Sequence, residues 1–483
     1  MNQIVPPQAR CRAAAARRDI TPPVGIYHRM WGAATHDRAT GVHRPLLATA
    51  LALEAHDGQP VRRVIVGMDH CLMWHDDLER LRQDVCRQAG LAPDELLIAF
   101  SHTHGAGLMD RSRSQLPGGE LIGPYLDQLA ITLADAVREA LAGLREATIT
   151  YGAGRCSLAM NRDQWDPASK QFVCGLDPTA PTDNTLLVAR VTSADGRHVA
   201  AVVNYACHPT TLAWQNTLIS PDYIGALREV VEAAAPGPCL FLLGACGDLG
   251  PREGYVGDTR VADRHGRELG YAALSVLESL APPGQCYQYR GPVVSGATLG
   301  DWGYEPLDPA ALAAKSTWLC RDWTVAVPYR EGLPTREQTQ RELDRWNAAE
   351  RQAQQAGDAL QARDCRAQVE RMQRQLTRVG QLPPGSDFPL PVSLWQLGDG
   401  YWLFLEGEYY HHLQRALRAA FPARTLLVST VVNGWRPAYL PTRDTYGRGI
   451  YQEQVAILAP GCLESVVDAV AAQIEAWETA SRQ

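Results

Sequence analysis

Lysine is nearly missing from this chain. Of the 46 basic residues only Lys170 and Lys315 are lysines, and both lie in stretches that read as surface loop or helix. A Schiff-base mechanism needs a desolvated lysine and a phosphate-cradling loop needs G-x-x-x-x-G-K-[S/T], so both classes drop out. G-x-S-x-G is absent too, which removes the serine elbow of an α/β-hydrolase. The twelve cysteines contain no C-x-x-C pair. That pattern fits reduced thiols in a cytoplasmic protein better than a disulfide framework or a structural zinc knuckle. No apolar run is long enough to cross a bilayer, so no transmembrane segment is expected. Arg10, Arg12, Arg17 and Arg18 break up the alanines near the start, and no signal peptide is expected there. The formal charge of −7, without a basic run, gives no footprint for nucleic acid.

What remains is an ordinary globular composition, 46% hydrophobic and 20% charged over 483 residues, enough to bury a large core. Five apolar runs each stop at polar, chemically capable residues. Leu96 to Phe100 ends at Ser101-His102-Thr103-His104-Gly105, and Val64 to Met68 ends at Asp69-His70. Val202 to Ala206 ends at Cys207-His208-Pro209, Leu240 to Leu243 at Gly244-Ala245-Cys246-Gly247-Asp248, and Trp402 to Leu405 at Glu406-Gly407-Glu408. Runs with so little alternation read as strands buried on both faces, which leaves function to the strand ends. In open α/β sheets ligands bind outside those carboxyl ends.

Strands alternate with helical patterns over residues 15–300, which predicts an α/β fold of mixed sheets flanked by helices in one large catalytic domain at 15–475. Residues 334–382 change to a polar, Arg- and Gln-rich stretch opening on a capping-box spacing at Thr335 and Gln338. It reads as a helical-hairpin insertion that is solvated and carries no chemistry. A lid over the site and a contact between copies in a homo-oligomer are the other roles open to it.

His102-x-His104 puts two imidazoles on one side of an extended chain. Taken singly, each strand end has a bland explanation: histidines satisfied by carbonyls, Asp248 as an N-cap, Glu408 favoured by a helix N-terminus, Cys246 as inert packing. Two or three histidines with one carboxylate together make the ligand set of a catalytic zinc, which needs about three protein ligands and an open place for water.

The segments Ser101-His102-Thr103-His104-Gly105, Asn204-Tyr205-Ala206-Cys207-His208-Pro209, Gly247-Asp248-x-x-Pro251, Gly407-Glu408 and Tyr439-Leu440-Pro441-Thr442 occur in that order. In this the chain resembles the neutral/alkaline ceramidase family over residues 15–475. Asp19-Ile20-Thr21-Pro22-Pro23 and Gly41-Val42-His43-Arg44-Pro45-Leu46 add to the likeness, with Arg44 where an Asp is usual. The resemblance implies a zinc amidase that cuts an N-acyl bond with metal-activated water. It implies Zn2+ held by His102, His208, Glu408 and Tyr439, with His104 beside the metal moving protons and Arg162 and Tyr451 stabilising the oxyanion. Asp248 belongs to the same catalytic set.

Three departures bear on the substrate. Gly250 stands where the family pattern Gly-Asp-x-Ser-Pro has its serine. The sequence stops after the catalytic region, and it shows no export signal. These point away from ceramide and toward another small-molecule N-acyl amide. A zinc hydrolase of an ester, lactone or peptide-like bond, and a non-catalytic binding module, are the rival readings. Trp31, Trp74, Trp165, Trp214 and Trp435 fall near the site segments, and an aromatic-walled pocket for a compact or cationic substrate is an alternative to an acyl-chain tunnel.

Overall fold

The computed structural model describes residues 3–56 and 61–480. The larger sheet has eight strands: β1 (Gln8–Asp19), β2 (Leu47–Ala55), β3 (Arg62–Met68), β4 (Leu96–Phe100), β5 (Arg145–Arg155), β6 (Thr185–Ser193), β7 (His198–Tyr205) and β8 (Cys239–Leu243). Their order in space is 8-7-6-5-1-2-3-4. The middle is antiparallel, while the outer pairs β3/β4 and β7/β8 are parallel. Parallel neighbours need a crossover, and helices supply it: α1 (His75–Ala89) returns the chain from β3 to β4, and α3 (Tyr223–Ala234) returns it from β7 to β8. Together with α2 (Ile122–Ala142) and α4 (Thr259–Ser279) these helices cover one face of the sheet, burying Leu78, Leu129, Leu227 and Leu269 at helical spacing. Strands β5, β6 and β7 follow one another without helices, so the expected alternation does not hold there; antiparallel strands need only short connections.

The second sheet holds β9 (Trp318–Pro328), β10 (Asp387–Leu397), β11 (Gly400–Leu405) and β12 (Thr425–Ser429) in that order, with β11 and β12 parallel. Between β9 and β10 the chain makes two helices, α5 (Arg336–Gln355) and α6 (Ala359–Gly380). Trp395, Trp402 and Phe404 pack against Ala9, Leu51 and Ile65 of the first sheet. The far face is covered by α7 (His412–Ala420) and α8 (Cys462–Ala480) through Leu413, Leu417, Val466 and Val470. The result is four layers, helices outside and two sheets inside, which is the mixed α/β class expected.

The larger sheet curls until its edge strands approach each other. Residues 430–433 span the gap: the Thr430 N–H donates to Leu243 O of β8 at 2.9 Å, Phe100 of β4 donates to Val431 O at 3.3 Å, and Asn433 donates to Ile98 O at 2.8 Å. The approach is close enough that a Cβ on Gly67 would collide with the Leu240 side chain at 2.3 Å, so β3 carries glycine where β8 crosses it. Curling brings the carboxyl ends of β4 and β7 together although they lie near opposite edges of the sheet.

Candidate active site

Each of the three parallel pairs delivers one central side chain. His102 follows β4, His208 follows β7, and Glu408 follows β11. Their donor atoms form a triangle: His102 Nε2 to His208 Nε2 is 3.1 Å, His102 Nε2 to Glu408 Oε2 is 3.4 Å, and His208 Nε2 to Glu408 Oε2 is 3.3 Å. Bonds of about 2.0–2.1 Å to a tetrahedral ion put neighbouring donors about 3.3–3.4 Å apart, so the triangle has the size of one face of a zinc coordination shell. All three residues are buried, and Glu408 Oε2 has no hydrogen-bond partner. A buried carboxylate oxygen aimed at two imidazole nitrogens, with no hydrogen-bond donor of its own, is suited to holding a cation.

The outer atoms are already fixed. His102 Nδ1 donates to Cys71 O at 2.6 Å and His208 Nδ1 to Cys246 O at 3.3 Å, which places both Nε2 lone pairs toward the triangle. Glu408 Oε1 accepts from the Trp435 indole N–H at 2.5 Å. Burial alone would raise the Glu408 pKa, but His102 and Arg162 outweigh it and hold the carboxylate below its ordinary value. Burial pushes the His208 imidazole well below its ordinary value, helped by Arg162 and His102, which favours the neutral form a ligand needs. His102 has φ +64°, a conformation disfavoured for a residue with a Cβ, and its bond to Cys71 O accompanies that turn. Cys71, His102 and His104 make a second cluster of compatible donors, but His102 Nδ1 is committed to the Cys71 carbonyl.

Tyr439 sits directly beside Glu408, because the parallel bridge between the short strands Glu408–Tyr409 and Tyr439–Leu440 pairs those two residues. Its hydroxyl accepts from Arg162 Nη2 at 3.2 Å, and its ring meets Tyr451 at 5.9 Å between centroids. The Arg162 side chain also donates to Gly247 O from Nε at 3.1 Å and Nη2 at 2.7 Å. Buried and without an ion-paired carboxylate among the described residues, it is a cation free to meet developing negative charge. His104 is half-buried 5.1 Å from the His102 ring, and its Nε2 has no partner. Asp248 lies differently from the rest. Its carboxylate accepts from His411, at 2.8 Å from the backbone and 2.6 Å from Nδ1, and does not line the cavity. Its carbonyl accepts the Arg162 backbone N–H at 2.9 Å, so Asp248 acts on the cavity by holding Arg162 in place.

The cavity over these residues measures about 300 Å³, at the small end of ligand pockets. Its floor includes His104, Arg162, Tyr439 and Tyr451. Its roof is α6, through Ala367, Arg371, Arg374 and Arg378. The helix expected to be solvated and inert therefore faces the site, because its arginines point inward and the sequence pattern of a charged face is the same either way. Trp31 and Trp435 belong to the site, Trp74 meets Trp435 edge-on at 5.9 Å, and Trp214 meets Trp31 at 6.4 Å, whereas Trp165 is exposed against Phe172. With Arg162, Arg371, Arg374 and Arg378 lining it, the cavity has the wrong sign for a cationic substrate.

One position received no weight in the sequence. Thr210 lines the cavity with a buried hydroxyl that has no partner, and a Cβ on Gly250 would lie 3.9 Å from that hydroxyl. Thr210 thus brings a hydroxyl near the place of the family serine. Arg44, by contrast, pairs with Glu229 and Asp263 away from the triangle.

Residues 12–238 match the family model of neutral/alkaline non-lysosomal ceramidase, N-terminal. Among solved structures, the neutral ceramidase from Pseudomonas aeruginosa matches with a TM-score of 0.63 at 16% sequence identity, over 97% of this chain and 74% of that chain. A ceramidase complexed with C2 matches with a TM-score of 0.62 at 15% identity, over the same 97% and 74%. At such identities the likeness is one of fold.

Proposed function

Because residues 12–238 match the N-terminal model of the neutral/alkaline non-lysosomal ceramidase family and the fold is that of a neutral ceramidase, we propose that the chain is a zinc-dependent hydrolase of an N-acyl amide bond. The observation that carries this is the buried triangle of His102, His208 and Glu408 with its unpartnered Oε2. Tyr439, beside Glu408, is the fourth ligand in this reading. When bound, zinc supplies a water acidic enough to be deprotonated near neutral pH and an electrophile for the acyl carbonyl.

The chain's own groups do the rest. Arg162, held by Gly247 O and the Tyr439 hydroxyl, offers its remaining N–H edge to the oxyanion, and the Tyr451 hydroxyl adds a second donor. His104 Nε2, without another partner, takes a proton and returns it to the leaving amine. Asp248 and His411 position Arg162. The α6 roof limits water and bulk above the acyl group, and a cavity this small supports an amide more compact than ceramide. The twelve free cysteines support a reducing compartment such as the cytoplasm.

Elemental analysis of the purified protein beside His208→Ala tests the centre. About one zinc per chain, lost in the variant, is expected. A folded wild type that takes up no metal when zinc is offered would remove the hydrolase reading. A panel of N-acyl amides, esters and lactones then identifies the bond, with turnover of amides expected.

A further inference from the structure

The roof of the cavity carries more positive charge than its surroundings compensate. Arg378 is buried at 8% exposure, yet no carboxylate pairs with it and no hydrogen bond reaches its side chain among the described residues; its Nε is orphaned. The Trp435 ring lies 5.9 Å from its guanidinium carbon, and that indole is the one that holds Glu408. One turn earlier, Arg374 donates to Met30 O, and its Nε is also buried without a partner. Among the described residues, the only carboxylate lining the cavity beside these cations is Glu370, and it is spent. It accepts from Arg113 at 2.9 Å, Arg366 at 3.0 Å and the Tyr27 hydroxyl at 3.2 Å.

Buried cations in proteins are paired or hold a ligand, because desolvating an unpaired guanidinium is costly. Arginine's planar fork suits a two-oxygen anion held bidentately. Arg374 and Arg378 project from one face of α6, four residues apart, into the same cavity as His104 and Tyr439. Resting on the hydrolase reading and deepening it, we infer that the substrate is an N-acyl amide that carries an anionic carboxylate, of the N-acyl amino acid class, whose carboxylate is held by Arg374 and Arg378. Water adds across the amide: its oxygen goes to the acyl carbon, the C–N bond breaks, and a proton goes to the departing amino group. The acyl product leaves as a carboxylate and the amine as an ammonium, while the amino-acid carboxylate is untouched, so the arginines hold substrate and amino-acid product through the same group.

The test uses zinc-loaded full-length protein and three matched amides: an N-acyl glycine, its uncharged glycinamide counterpart and the taurine analogue, which replaces the carboxylate with sulfonate. The N-acyl glycine is expected to exceed the glycinamide at least tenfold in kcat/KM. Losing a charge-assisted hydrogen bond typically weakens binding by about tenfold to a hundredfold. Arg378→Met and Arg374→Gln should each shrink the preference by that order while zinc content stays at the wild-type level. Because Arg378 is buried, the half-buried Arg374 provides the second variant should Arg378→Met not fold. A second readout needs no turnover: calorimetric binding of the N-acyl glycine to metal-free protein should weaken about tenfold in either variant. Equal kcat/KM for charged and neutral amides, or a preference untouched in both variants, overturns the inference. A larger preference for the sulfonate overturns the carboxylate assignment. Arginine-dependent binding without hydrolysis of any amide supports the anion site and sinks the hydrolase reading instead, so the two fail separately.

Discussion

Arg162 shows how much a single side chain here depends on neighbours far away in sequence. Its guanidinium is fixed by a carbonyl from the loop after β8 and by the hydroxyl of Tyr439, with no carboxylate in direct ion-pair contact among the described residues. Losing one oxyanion donor typically costs about 10²–10³ in turnover. Arg162→Ala is therefore expected to lose that much kcat while its zinc content stays near one per chain; full activity would refute the oxyanion role. Gly250 is the opposite case, a residue with room to spare. The nearest atoms to an added Cβ are Arg162 Cδ at 3.7 Å and Thr210 Oγ1 at 3.9 Å, ordinary contact distances. Gly250→Ser should fold as well as wild type or gain up to about 1 kcal/mol, since glycine in a strand loses more backbone freedom than other residues. Chemical denaturation would show this, and a large loss would mean that the backbone there cannot take a side chain.

At the scale of elements, α6 is tied down by a buried ionic cluster and not by an apolar stripe. Glu370 is 1% exposed and joins Arg113, Arg366 and Tyr27 across three separate segments. Burial alone would raise its pKa, but Arg113 and Arg374 outweigh that and keep it below the ordinary carboxylate value. Breaking such a pair leaves Arg113 buried with only a longer 3.6 Å carboxylate contact, to Asp110, and removing one partner of a buried pair typically costs about 3–5 kcal/mol. Glu370→Gln should speed amide hydrogen exchange through Ala359–Gly380 well before other helices respond; unchanged exchange there would show that the cluster does not anchor the roof. This element was also the least legible from sequence. Inward-facing arginines and a solvated face are spelled with the same letters, and the buried Cys365 and Val369 make too short an apolar pattern to reveal which side is covered.

Across the whole molecule, the sequence revealed the strand ends more readily than the shape that gathers them. Runs such as Leu96 to Phe100 and Leu240 to Leu243 announce buried strands because every residue in them is apolar, and His102, His208 and Glu408 stand immediately beyond such runs. The curl that makes opposite edges meet leaves no periodic signal, because it is closed by long-range backbone bonds from Thr430, Val431 and Asn433. The pairing of Asp248 with His411 was hidden for the same reason, being a contact between segments and not a pattern within one. A metal shared by ligands from both sheets should stabilise the entire fold. At free zinc a thousandfold above its Kd, linkage predicts about 4 kcal/mol. Tm should fall on exhaustive chelation and return on adding zinc, and His208→Ala should show no such response; a wild-type Tm indifferent to chelator would contradict a structural tie through the metal.

The three members of the triangle also differ in when they are made. His102 and His208 leave the ribosome long before Glu408, which follows the first of them by roughly 300 positions. An emerging chain can fold α1 and β4 and even close much of the large sheet, yet it owns only two imidazoles and no carboxylate at the centre. On the proposed hydrolase reading, competence is withheld until β11 and its following turn are translated and docked, so an unfinished or truncated chain is chemically silent.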